Sequence, residues 1–324
     1  MKQHLHVLLR KCALSCLALT TFTQASFSQI GIFNEVEAGV SFGPSNFLGD
    51  LGGNRGRGMG FLKDNNIAQT KFIIGGHITA MPASFLGLRL AVNYGTLAGD
   101  DKIIKGSGGL EEARKFRNSD FRSRLFEAFL AAEVFPTVFF EEDPEDLYKK
   151  IRPYGVLGVG VFNYNPMGSD PLTGDWVNLK DLSTEGQGFA EYPDRKPYKL
   201  TQLNIPMGLG VKYFMNDNVS IAFEVIHRKT FTDYIDDVST TYIDPNLFDQ
   251  YFGAGSEKAQ LARRMANKTD QGSSTSAGFG PGDKRGTPTN NDAYYSAGFK
   301  LGFRLGNRGN GDNYKRIKCP VMRY

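Results

Sequence analysis

Asp233, Asp236 and Asp237 form an acidic cluster of potential ligands. Carboxylates at that spacing suit a hard cation such as Ca²⁺; the alternative is a solvated or arginine-paired loop rim. The run Gly49-Asp50-Leu51-Gly52-Gly53, with Gly56 and Gly58 after it, imitates a phosphate-cradling loop. No Lys-Ser/Thr pair follows to reach the phosphates, which discounts nucleotide chemistry there. His77 and His227 fall on opposite faces of two alternating segments, His77 inward and His227 outward, so a shared hydrolytic triad is disfavoured. The three cysteines are Cys12, Cys16 and Cys319, and no spacing of His, Cys or carboxylate fits a tetrahedral zinc site. No cofactor, bound metal or enzymatic activity is expected.

The ionisable residues that recur with a pattern are Arg89, Glu127, Glu133, Lys212, Glu224, Lys300 and Arg304. Each occupies the polar face of a segment whose apolar residues alternate with it. The clearest segment is 293–305, where Tyr295, Ala297, Phe299, Leu301, Phe303 and Leu305 share one face and Lys300 and Arg304 lie on the other. Strict period two over that length marks a β-strand about as long as a tilted membrane strand. Seven further segments follow the rule, at 31–43, 70–81, 85–96, 120–135, 152–164, 200–214 and 218–230, with Ile73 an exception to its own face. The high Gly (38), Phe (25) and Tyr (14) content agrees with strands and turns rather than helices.

Two architectures satisfy such alternation: a soluble sandwich with its charged faces in water, or a membrane barrel with those faces turned inward. Connection lengths separate them. They run long (44–69), short (Pro82–Ser84), long (97–119), medium (136–151), long (165–199), short (Asn216–Asn218) and long (231–291). Outer-membrane barrels place short turns in the periplasm and long loops outside. The expected fold is therefore all-β: an eight-stranded antiparallel transmembrane β-barrel with long extracellular loops, short periplasmic turns and a periplasmic C-terminal tail. Its inward charges, Arg89, Lys212, Lys300 and Arg304 against Glu127, Glu133 and Glu224, should pair in a narrow, filled interior with His77 among them. The last long loop should be mobile from Gly253 to Gly286, with a short helix around Glu257–Asn267.

Residues 1–28 read as a secretory leader: Lys2, Arg10 and Lys11 precede an apolar stretch from Cys12 to Phe22, and Ser26 and Ser28 fit a cleavage site. The formal charge of +4 is too small for a nucleic-acid or anionic-lipid binder to be the first expectation; removing the leader takes it to +1 and leaves Cys319 as the one thiol. The barrel then occupies 29–306. Beyond it, 307–324 forms a tail with a Gly- and Asn-rich spacer followed by Lys315, Arg316, Lys318, Cys319 and Arg323. A flexible spacer ending in a basic, single-thiol hook suits contact with another protein, by charge and through an intermolecular disulfide.

Several stretches resemble a known family: Gly39-Val-Ser-Phe-Gly-Pro-Ser-Asn-Phe-Leu-Gly-Asp-Leu51, Thr232-Asp-Tyr-Ile-Asp-Asp-Val-Ser239, Arg285-Gly-Thr-Pro with Asn291-Asp-Ala-Tyr-Tyr-Ser-Ala-Gly298, and Lys318-Cys-Pro320. In that order they resemble the PorG family of small outer-membrane barrels from the type IX secretion and gliding apparatus of Bacteroidetes. The resemblance implies a non-enzymatic barrel in the outer membrane, in contact with its lipids, that binds a periplasmic ring of the PorK lipoprotein and PorN. The segment 165–199 has no counterpart among these stretches. The competing expectation is a stand-alone barrel acting as an adhesin or handling a small solute.

Overall fold

The computed structural model describes residues 35–52, 67–104, 111–143, 150–269 and 279–305. The leader at 1–28 and the tail at 307–324, with Lys315, Arg316, Lys318, Cys319 and Arg323, lie outside the described residues. The described chain forms strands β1 (Glu35–Leu48), β2 (Lys71–Ala83), β3 (Leu86–Asp100), β4 (Asp120–Val134), β5 (Ile151–Ser169), β6 (Trp176–Asn178), β7 (Thr201–Phe214), β8 (Val219–Thr230) and β9 (Ala293–Leu305). Three short helices join them: α1 (Glu111–Arg117), α2 (Asn246–Phe252) and α3 (Glu257–Ala266).

Eight of the strands close on themselves. The hydrogen-bonded order runs β4-β3-β2-β1-β9-β8-β7-β5, and β4 pairs with β5 to complete the circle. Every pairing is antiparallel; β1 meets β2 with Val36 opposite Ala80, and meets β9 with Val36 opposite Leu305. Closure leaves no edge, so each backbone N–H and C=O of the wall is satisfied inside the wall, as lipid requires. The ninth strand, β6, pairs only with the upper end of β5. Among the described residues no helix is long and apolar enough to cross a bilayer; the strands are the spanning elements.

The wall is apolar outside and polar inside. Leu209, Val159, Leu203 and Phe72 are more than 60% exposed, while Glu133, Glu127 and Lys212 are fully buried. This inversion is what a barrel in lipid needs and what a soluble sandwich would avoid. The period-two signal in the sequence is its direct cause, because one face of each strand meets lipid and the other meets the interior. Ile73, the exception to alternation, points inward and is buried among aromatic rings.

The two ends differ. At one, Ser84-Phe85 joins β2 to β3, and the Asn216 carboxamide oxygen accepts from the Asn218 and Val219 N–H groups in the turn joining β7 to β8. The third connection at this end is a 3₁₀ turn, Pro136–Phe140, whose Phe135 and Val138 tuck beneath the barrel. The long loops all emerge at the other end. By the rule for such barrels the short-turn end is periplasmic, and both Glu35 and Leu305 lie there.

The strands overshoot their expected limits. β1 continues to Leu48 rather than ending at 43, β3 to Asp100 rather than 96, and β5 to Ser169 rather than 164. A bilayer needs only about 9–11 residues per strand. The extra turns stand above it, where outward residues such as Asn46 and Asn165 are polar and the alternation that marks a membrane strand disappears. The expected mobility of 253–286 is also corrected: α3 is a helix capped by Ser256, whose hydroxyl accepts from the Ala259 N–H, and it packs through Ala259, Ala262 and Met265. The Gly272–Gly278 stretch falls outside the described residues.

The exposed belt fixes a first test. Leu209→Arg or Phe299→Arg, each placed on the lipid face near mid-height, should destabilise the barrel by about 2–4 kcal/mol. Each variant should lose the compact, heat-resistant migration of the folded protein in detergent gels; unchanged migration of both would mean the faces are reversed.

Candidate functional site

The inward side chains stack in layers. Nearest the periplasm, the Glu37 carboxylate of β1 receives Lys212 Nζ of β7 at 2.7 and 2.9 Å and the Ser220 hydroxyl of β8 at 2.8 Å. His77 of β2 lies 3.7 Å from the same carboxylate. Glu37 can lie flat because Gly302 faces it across the β1–β9 seam; a Cβ at 302 would come 2.3 Å from the Glu37 carboxyl carbon. Below this layer, Arg152 donates to Glu141 at 2.8 Å and Arg304 pairs with Glu35 at 2.7 Å. Arg304, expected within the interior network, is thus half-buried at the periplasmic mouth, because its position is the penultimate one of β9.

The middle layer crosses the barrel. Arg89 of β3 grips Glu224 of β8 through two N–H groups at 3.1 and 2.8 Å, and also donates to Glu133 of β4. Glu133 accepts from Lys300 of β9 at 2.6 Å, and the Tyr154 hydroxyl of β5 donates to Glu224 at 2.8 Å. Above it, Glu127 of β4 accepts from Asn93, Asn204, Tyr294 and Arg228 at 2.7, 2.7, 2.9 and 3.3 Å. These three layers balance four carboxylates, Glu37, Glu127, Glu133 and Glu224, with four cations, Arg89, Lys212, Arg228 and Lys300. A void of about 30 Å³ at this level is lined by Arg89, Asn93, Glu224 and Lys300 and has room for one or two waters.

An aromatic stack closes the barrel above the ions. Phe162, Tyr164 and Tyr294 are fully buried; Tyr164 stacks on Tyr198, and Tyr198 on Tyr234 at 4.9 Å. Over this stack sits a folded crown. Arg117 of α1 pairs with Asp101 at 2.7 Å and donates to the Asp50 and Arg285 carbonyls, both at 2.6 Å. Arg285 in turn donates to Glu185 at 2.9 Å and to the Asp237 carbonyl at 2.6 Å. Sequence parity had no means of finding Arg117, Asp101, Glu185 or Arg285, which lie in loops outside the alternating segments. Within the barrel it passed over Glu37, Arg228, Arg152, Tyr154 and Asn204 as members of the network, although all five fall on inward positions.

The aspartates of the 232–239 stretch are buried, neither solvated nor on a rim. Asp236 accepts from the Leu51 and Val238 N–H groups, both at 2.9 Å. Asp237 accepts from the Tyr198 hydroxyl at 2.7 Å and from Thr184, with Arg285 at 3.9 Å. Asp292 accepts from Ile235 N–H at 2.8 Å, and Asp50 from Thr287 N–H at 2.5 Å. Asp236, Asp237 and Asp50 each staple one loop to another through a backbone or hydroxyl donor, and Asp292 ties together the two ends of the β8–β9 loop. Among the described residues no group of three or more His, Cys, Asp or Glu is arranged to hold a metal ion. Burial, with the charges of Asp50 and Glu185 added and Ser239 opposing, pushes Asp233 up to about 8. Burial pushes Asp237 up to about 6 against Arg285, Thr184 and Tyr198. Burial and neighbouring carboxylates also raise Asp236 and Asp292 well above the carboxylate range.

No protein-family model matches the chain, and no curated protein does. Solved structures do. Ail, the attachment invasion locus protein of Yersinia pestis, in complex with the heparin analogue sucrose octasulfate, is 8% identical, with 84% of this chain and 99% of that chain covered and a TM-score of 0.34. The N-terminal β-barrel domain of Pseudomonas aeruginosa OprF is 12% identical, covering 84% and 98%, with a TM-score of 0.32. A major outer membrane protein from Thermus thermophilus is 11% identical, covering 83% and 99%, with a TM-score of 0.36. The apolar wall, filled interior and sorted loops of this chain are the build of an outer-membrane barrel, and the outer membrane is its location.

Two measurements follow. Planar-bilayer recording of the pure protein should show no large, stable conductance, because balanced ion layers and an aromatic stack fill the lumen; a steady porin-like current would refute the plug. The crown should respond to pH. Carboxylates with raised folded-state values hold protons that an unfolded chain releases, so their contribution is full below about pH 4. It is lost as pH rises through about 6 for Asp237 and about 8 for Asp233. Asp233→Asn should make the crown more resistant to proteolysis than wild type at about pH 8.5 and equal to it near pH 4. Equal cleavage at both pH values would show that Asp233 does not ionise there.

Proposed function

We propose that the protein is a non-conducting outer-membrane anchor of a type IX secretion and gliding apparatus, holding a periplasmic ring of a PorK-like lipoprotein and a PorN-like protein to the membrane. The observation that carries the reading is the join between barrel and tail. β9 ends at Leu305, opposite Val36, at the periplasmic end of a lumen filled by the ion layers and the aromatic stack. From there the chain continues into the basic, thiol-bearing stretch that the family resemblance includes. Cys319 lies 14 residues past Leu305, a reach of up to roughly 46–50 Å at 3.3–3.6 Å per residue. Lys315, Arg316, Lys318 and Arg323 would orient that stretch against an acidic surface.

A second reading rests on the crown. The outer loops share a hydrophobic cluster of their own around Phe189, Phe248 and Met265, a folded surface of the sort an adhesin would use. The tail separates the readings. Deleting 307–324 should leave the barrel inserted and abolish co-purification of the ring from detergent-solubilised outer membranes. Cys319→Ser should remove a slow-migrating species in non-reducing gels. A truncated protein that still brings down the ring at wild-type levels would overturn docking through the tail.

A further inference from the structure

The outward wall carries an uneven set of charges. Immediately above the apolar belt, β4 points Arg122 and Arg124 outward, two and one steps above Phe126 on the same face. Both guanidinium-bearing residues are exposed, and among the described residues neither has a carboxylate within ion-pair distance. On the same arc β8 places Lys229 outward, also exposed. The neighbouring outward residues of β5, Asn163 and Asn165, are neutral hydrogen-bonding groups. The outward carboxylate of this arc, Asp120, is already taken by Lys268. The other half of the wall, β9, β1, β2 and β3, has no Lys or Arg at any outward strand position.

Cations on the lipid face of a barrel are costly at mid-height and cost almost nothing at the interface. Arg122 and Arg124 therefore mark the headgroup level on this side of the barrel. Arg122 lies over the ring of Trp176, the chain's single Trp, at 4.1 Å, and an amphipathic ring at that height is itself an interface anchor. Two guanidiniums on alternate residues of one strand point the same way, roughly 7 Å apart along the strand. Each presents a planar fork that matches phosphate bidentately. Beneath them Phe126, Leu130 and Val161 are exposed and apolar.

We propose that this arc is a binding site for a phosphorylated lipid of the outer leaflet. Its phosphate sits between Arg122 and Arg124, and its acyl chains lie along the belt below Phe126. Lys229 extends the positive rim around the same side. The site needs nothing from the tail or from a secretion partner, so its failure and the failure of the anchor reading are separate outcomes.

The test uses the full chain, delipidated in detergent, refolded and offered bis-phosphorylated lipid A, with retained lipid counted by native mass spectrometry. Wild type should retain the lipid. Arg122→Gln/Arg124→Gln should retain at least about tenfold less, a loss of the size charge-assisted phosphate bonds imply. Lys258→Gln on α3, away from the rim, should behave as wild type. All three must keep heat-resistant folded migration, and Arg124→Gln alone, expected to retain less lipid than wild type, replaces the Gln pair if the latter does not fold. Equal retention by wild type and the double variant overturns the site. Equal retention of lipid A stripped of its phosphates overturns it too, since acyl contacts alone would then suffice. Displacement by excess inorganic phosphate would mark a free-anion site and count against a lipid.

Discussion

The structure depends on the charge balance across the middle of the barrel. Eight strands enclose only enough space for their own side chains, so whatever faces inward is removed from water. An unpaired ion there would cost several kcal/mol, and a paired one is tolerated only with its remaining donors and acceptors satisfied. Arg89, Glu133, Glu224 and Lys300 are paired with one another, Tyr154 fills one further acceptor site on Glu224, and Glu133 keeps one oxygen without a hydrogen-bond partner. They come from β3, β4, β8 and β9, strands on different sides of the wall, so the network also fixes which strands can face each other across the lumen. A slip of one residue in any of these strands would put its charge into lipid.

The crown solves a related problem by different means. Above the bilayer the loops must bury their backbone as well as their side chains, and loop backbone has no ladder to satisfy it. Asp50, Asp101, Asp236, Asp292 and Glu185 each accept from backbone N–H groups of other segments, and Arg117 and Arg285 supply donors to loop carbonyls. A carboxylate can serve two donors, which makes it an efficient staple for irregular chain. The consequence is a concentration of acids under the crown that burial holds at raised values.

What the sequence made legible follows from these two mechanisms. The eight strands and the sorting of the loops could be read because lipid and lumen impose opposite demands on successive residues, as at Leu203-Asn204-Ile205. The inward position of Glu133 and Lys300 could be read in the same way, but not their pairing, because that depends on the stagger of strands across the lumen. Where lipid ends, the signal ends. Ser45-Asn46 and Asn165-Pro166 look like loop and are strand. The Asp-rich 232–239 stretch looked like a rim because its partners, Leu51 N–H, Thr184 and Arg285, lie 48 to 185 residues away in the chain. The tail residues Cys319 and Lys315 lie outside the described residues, so their role rests on the resemblance and on where β9 ends.

A filled and charge-balanced lumen directs attention to the wall and the two ends, and the wall at β9 suits a mechanical load. In the proposed role, force on the tail enters at Leu305 along the strand axis. β9 is registered with β1 over eleven residue pairs and with β8 over eleven more. Antiparallel hydrogen bonds run perpendicular to the strands, so tension along β9 would load both ladders in shear, all bonds together, rather than opening them one at a time. Lys300 adds a cross-lumen tie from β9 to Glu133 on β4. Sliding β9 by even one residue would require that ion pair to break in a water-poor interior and would turn Phe299 from lipid into the lumen. The same burial of charge that fills the lumen thus resists extraction of β9.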